Sequence, residues 1–137
     1  MPKVTDIRPA GPNHQVLTVV GGDSKYCIQP CADCPWRKDA KGVFPAEAFR
    51  HSANTAYDMS THTFACHTAG AEKPAICAGF LLNGSVHNLA IRLMLVKGKI
   101  ELKKVGDGGH ELYPNYRAMA VANGVKKTDP VLKECRD

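Results

Sequence analysis

The sequence predicts a small α+β single domain: short strands and about three helices around a four-cysteine metal site. Three observations carry that expectation. The chain has 137 residues, enough for one hydrophobic core and short of two. Its 44% hydrophobic and 23% charged content is ordinary for a globular chain, which argues against disorder and fibrous repeats. The third observation is the cysteines: of six, Cys27, Cys31, Cys34, Cys66 and Cys77 fall between positions 27 and 77, and only Cys135 lies near the end.

The elements follow from local pattern, within one domain over residues 1–137. Residues 1–13, with Pro9, Gly11 and Pro12, read as a loose N-terminal arm. Residues 15–20 are a β-branched, apolar run between turn residues, hence a strand. Pro30 and Pro35 interrupt residues 26–36, so neither helix nor regular strand runs through the first three cysteines. Pro45 suits a first helical position and opens a helix over residues 45–56, with Phe44 and Phe49 facing the core. Residues 61–66 have strand composition, and residues 67–74, with Gly70 and Pro74, form a loop.

Ser85 is the expected N-cap of a core helix over residues 86–97, because Val86, Leu89, Ala90, Leu93 and Met94 share one helical face while His87, Asn88 and Arg92 fall elsewhere. Gly98 closes it. Residues 99–105 alternate apolar and charged side chains, the signature of a half-buried strand, and the glycine-rich residues 106–109 end it. A short helix over residues 113–123 with Gly124 behind it, and a last turn at Asp129-Pro130, complete the pattern.

Cys31 and Cys34, two residues apart in a tight loop, can place both sulfurs on one ion. Cys66 and Cys77 supply two more thiolates, the count for closed tetrahedral zinc and equally for a 4Fe–4S cluster. Zinc is the leading cofactor, since its geometry tolerates widely spaced ligands; the iron–sulfur alternative draws on Cys34-Pro35, a pairing that also closes ferredoxin ligand runs. His62 and His67 are alternate ligands or hydrogen-bond donors to a ligand sulfur, and Cys27 is close enough in sequence to substitute for a ligand. The pair is a poor thioredoxin-like motif, because prolines stand on both sides of it.

Trp36, Arg37, Lys38 and Lys41 beside the cysteine pair are candidate contacts to a partner or to nucleic acid, with Trp36 stacking and the cations on phosphate. A structural alternative puts Trp36 over the metal site and Arg37 on backbone carbonyls or balancing thiolate charge. The separate cluster Lys97, Lys99, Lys103 and Lys104 adds to a formal charge of +5, which favours polyanions without forming the dense basic stripe of a nucleic-acid reader. Neither a membrane-spanning apolar run nor a secretory leader is visible, so a cytoplasmic protein with reduced thiols and no membrane partner is expected. No hydrolase constellation stands out: Cys66 and His67 are sequence neighbours, which diverge on a strand, and Glu47, Glu72, His87-Asn88 and His110-Glu111 lack a supporting motif.

Residues 30–37 (PCADCPWR), 42–45 (GVFP), 64–67 (FACH), 77–80 (CAGF) and 87–93 (HNLAIRL) together resemble a family of small, functionally uncharacterised proteins of bacteriophages and bacteria. The resemblance implies that Cys31, Cys34, Cys66 and Cys77 belong to one site and that the chain is phage- or prophage-encoded. Cys34-Pro35-Trp36-Arg37 is also similar to a segment of the WhiB-type iron–sulfur transcription factors, whose remaining spacing this chain lacks. The function expected is therefore a non-enzymatic, metal-binding regulatory or binding protein acting on a host protein or nucleic acid in the host cytoplasm. The alternatives are an iron–sulfur redox or redox-sensing protein and, third, a metal-dependent nuclease.

Overall fold

The computed structural model describes residues 3–9, 15–20, 25–31, 34–65 and 75–135, the first two segments by their backbone. Two small sheets and four α-helices make up the described chain, in the order β1 (Lys3–Pro9), β2 (Gln15–Val20), β3 (Lys25–Tyr26), α1 (Ala46–Ser52), β4 (His62–Thr63), β5 (Ala75–Ile76), α2 (Ala78–Asn83), α3 (Leu89–Val96) and α4 (Tyr116–Ala122). The α+β class is as the sequence predicts, with one α-helix more than expected. Lys3–Pro9, assigned to a loose arm, instead pairs antiparallel with β2 from Lys3↔Val20 to Pro9↔Gln15, with a register shift between Val4 and Asp6. β2 also pairs antiparallel with β4, giving the order β1-β2-β4. β3 and β5 form a separate parallel pair.

Helix α1 starts one residue after Pro45, which occupies the N-cap, and ends in a 3-10 turn over Ala53–Ala56. The expected stretch thus stays helical, with Phe49 buried and Phe44 packed against the core. The 3-10 turn Pro130–Leu132, opened by Asp129 and proline, follows the sequence reading, as does Gly124, whose φ of +105° ends the turn after α4.

Three elements depart from expectation for identifiable reasons. Helix α3 is capped by Asn88, whose side chain accepts from the Ile91 N–H at 3.1 Å; Ser85 instead hydrogen-bonds the Leu81 carbonyl at 2.9 Å. The buried face of α3 carries Ala90 and Met94 as expected, with Ile91 added, while Leu93 is 48% and Val86, ahead of the helix, 72% exposed, so apolar spacing found the face and misplaced its edge. Residues 99–105 do not form a strand. They make a 3-10 turn at Leu102–Lys104, with Ile100 and Val105 buried on either side; two apolar anchors around a tight turn mimic a period of two. Helix α2 was not foreseen, because Gly79 and its mere six residues give it weak intrinsic propensity.

Tertiary packing explains α2. Trp36 is fully buried and lies along that helix between two glycines: a Cβ at Gly79 would fall 2.4 Å from Trp36 Cβ, and one at Gly84 would fall 2.5 Å from its Cη2. Both positions need glycine because the indole occupies the space a side chain would take. Phe64 and Tyr116 meet the indole edge-on, each with ring centroids 6.0 Å away, so the core centres on the residue next to the cysteine pair.

Candidate metal centre

Three backbone segments converge on the cysteines. The parallel register Lys25↔Ala75 and Tyr26↔Ile76 brings out Cys27 and Cys77 as the next residues of adjacent strands, and the Cys27 N–H donates to the Ile76 carbonyl at 2.9 Å. On its other side Ile76 is bridged antiparallel to Ala65, and the Cys77 N–H donates to the Phe64 carbonyl at 2.9 Å. The third segment is the proline-bounded loop. Its turn is closed by the Cys34 N–H on the Cys31 carbonyl at 3.2 Å and the Arg37 N–H on the Cys34 carbonyl at 3.0 Å. Bonds from the Tyr113 N–H to the Trp36 carbonyl and from the Lys38 N–H to the Glu111 carbonyl pin its far end.

Cys34 and Cys77, 43 residues apart in sequence, thereby stand with their sulfurs 3.4 Å apart. Cys34 is wholly buried, Cys77 nearly so and Cys31 half-buried. The side chain of Cys31 hydrogen-bonds Cys34, which lowers the Cys34 pKa; the opposing bond to Cys77 and burial outweigh it and push the thiol from 9.0 up to about 12. Two thiolates in this space would repel each other and be poorly solvated, so the contact disfavours charging both sulfurs. A bound divalent ion reverses that preference by stabilising both thiolates.

Arg37 borders the site with only 13% of its side chain exposed. Its Nε and Nη2 donate to the two Asp39 carboxylate oxygens at 2.8 and 2.5 Å, and its Nη1 donates to the Cys31 carbonyl at 3.2 Å. Asp39, and less strongly the cysteine sulfurs, hold the guanidinium pKa above its ordinary value. The fork therefore fastens the loop and sets a positive charge beside the sulfurs.

Other sequence candidates distribute as follows. Lys38 and Lys41 are exposed, whereas Trp36 presents no ring face to solvent. His62 lies on β4, and its Nδ1 is buried with no hydrogen-bond partner among the described residues; Trp36 Nε1 shares that condition. Cys27 is half-buried against the core. Cys66, His67 and Glu72 lie outside the described residues. Among the described residues, no group of three or more His, Cys, Asp or Glu side chains is arranged to hold a metal ion. Glu47 is occupied by Arg50 and His51 at 3.1 and 3.3 Å. His110 and Glu111 line a cleft of about 580 Å³ with Lys38, Asn83 and Asp107, a wall of mixed charge.

Asn88 is the residue that sequence reasoning undervalued. It is buried, caps α3, and its Nδ2 donates to the Thr55 carbonyl at 3.1 Å and the His62 carbonyl at 2.7 Å, tying α3 to the strand that leads towards Cys66. An asparagine directly before an apolar helical run was its visible signal.

No helix among the described residues is long and apolar enough to cross a membrane. No curated protein and no solved structure matches the chain. A family of unknown function, DUF6283, matches residues 26–136, which takes in the cysteine loop, β4, β5 and the four described α-helices, and the chain belongs to that family.

Proposed function

We propose that this protein is a non-enzymatic binding module whose fold is completed by one metal ion, zinc, held by Cys31, Cys34, Cys66 and Cys77. The observation that carries the reading is the 3.4 Å separation of the Cys34 and Cys77 sulfurs. Four thiolates at 2.3 Å around one zinc ion have edges of about 3.8 Å, so a shift of a few tenths of an ångström seats the ion. Two thiolates on different irons of a 4Fe–4S cube stand further apart, with iron and sulfide between them, so the short separation favours zinc over the cluster. Cys66 enters as the fourth ligand by connectivity: Ala65, the residue before it, is bridged to Ile76, the residue before Cys77.

The partner class this reading favours is a protein rather than a nucleic acid. Burial of Trp36 and engagement of Arg37 by Asp39 leave Lys38 and Lys41 as the open cations of the first basic patch, too few for a phosphate-tracking, base-stacking surface. Metal analysis and an absorption spectrum of anaerobically purified protein test the centre. One zinc per chain and a colourless solution are expected. Iron with acid-labile sulfide would replace zinc by a cluster, and absence of any metal after zinc supplementation would overturn the reading.

A further inference from the structure

Beyond holding an ion, we infer that the sulfur cluster is a modification site at which Cys34 and Cys77 become joined as a disulfide, with Cys31 relaying the oxidation. The sulfurs of Cys34 and Cys77 are already in contact at 3.4 Å on segments 43 residues apart in sequence. Closing them to a bond of about 2.05 Å needs the sulfurs to approach by a little over an ångström. Cys34 and Cys77 are both shielded from solvent, whereas Cys31 is half-exposed and its side chain bonds Cys34. An oxidant from solution therefore meets Cys31 first.

The chemistry balances with hydrogen peroxide as the oxidant. The Cys31 thiol takes one oxygen atom to become a sulfenic acid, releasing one water. The Cys34 sulfur displaces the hydroxyl group, giving a Cys31–Cys34 disulfide and a second water. The Cys77 sulfur then attacks Cys34, the Cys31–Cys34 bond breaks, and the proton of the Cys77 thiol ends on Cys31. Two thiols and one peroxide become one disulfide and two waters, with Cys31 restored. The final bond lies in the core, away from reductants, and closes a long loop, whereas a Cys31–Cys34 bond is accessible and closes a short one.

As regulation of the metal centre this rests on the zinc reading, since the disulfide removes two ligands and expels the ion; as sulfur chemistry it stands without it. The test treats the full chain, with and without added zinc, with equimolar peroxide, then maps disulfides by mass spectrometry under non-reducing conditions and measures released zinc. A Cys34–Cys77 cross-link reversed by dithiothreitol is expected, forming on the order of tenfold more slowly in Cys31→Ser, where the relay is lost. Cys77→Ser should stop at the Cys31–Cys34 bond. A Cys31–Cys34 bond as the end product in the unaltered chain, or sulfinic acids without any cross-link, overturns the proposal. Cross-linking in protein that never binds zinc would overturn the regulatory role and the metal centre while leaving the modification site intact. Zinc binding without cross-linking would do the reverse.

Discussion

Two corners of this molecule are held together by different means. Where α4 and the last turn meet α1, ordinary hydrogen bonds close the structure: the Tyr116 hydroxyl donates to the Phe49 carbonyl at 2.5 Å, the Tyr57 hydroxyl to the Val131 carbonyl at 2.6 Å, and Arg50 pairs with Asp129 at 3.0 Å. Asn115 caps α4 and Asp129 caps the final 3-10 turn. At the cysteine corner two-residue strands, a proline-bounded loop and a six-residue helix meet around buried thiols. The first corner satisfies its polar groups with its own side chains. The second leaves two sulfurs in contact and an indole N–H without a hydrogen-bond partner among the described residues.

The sharpest way to break that contrast is to remove the ion proposed for the cysteine corner. Structural zinc contributes on the order of 10 kcal/mol of binding free energy in small peptides, so chelation or Cys34→Ser should lower the melting temperature by about 10 °C or more. Hydrogen exchange should show protection lost first at residues 25–37 and 75–84, with α4 still protected; equal loss at both corners would erase the distinction. Trp36→Ala should follow at about 3–5 kcal/mol by denaturant unfolding, because it empties the cavity between Gly79 and Gly84. Asn88→Ala should cost about 3 kcal/mol, combining a lost cap with two buried carbonyls left without their donor. Cys135→Ser, with the thiol buried 3.7 Å from the Ala53 carbonyl, should cost about 1 kcal/mol and leave the metal content unchanged.

The smallest effect belongs to Asp129 and appears as pH dependence. The Val131 N–H, followed by Arg50, lowers its pKa below 3.8. A lowered folded-state pKa means stabilisation that is present above the unfolded value and is lost as pH falls through the folded one. Asp129→Asn should therefore flatten the acid limb of the stability profile below pH 4 without altering metal affinity. An unchanged acid limb would show that the Arg50–Asp129 pair contributes nothing measurable.

Local rules made several features legible: the β2 strand from its β-branched run, the 3-10 turn after Asp129 from its proline, and the glycine that ends the turn after α4. They also marked residues 26–36 as a loop, because proline forbids regular structure whatever surrounds it. Composition and local pattern indicated the α+β class, and the resemblance of residues 30–37, 64–67 and 77–80 pointed to an uncharacterised family. The local readings share one physical basis, a backbone preference or a steric ban acting over a few residues. What the tertiary structure alone decided is every choice between locally equivalent outcomes. The pairing of Lys3–Pro9 with β2, the exposure of Leu93 on α3 and the packing of Gly79 of α2 against Trp36 each depend on a partner outside the segment itself. Local sequence reports what a segment can adopt; the partner it is buried against selects among those conformations, because burying apolar surface outweighs propensity differences of a few tenths of a kcal/mol per residue.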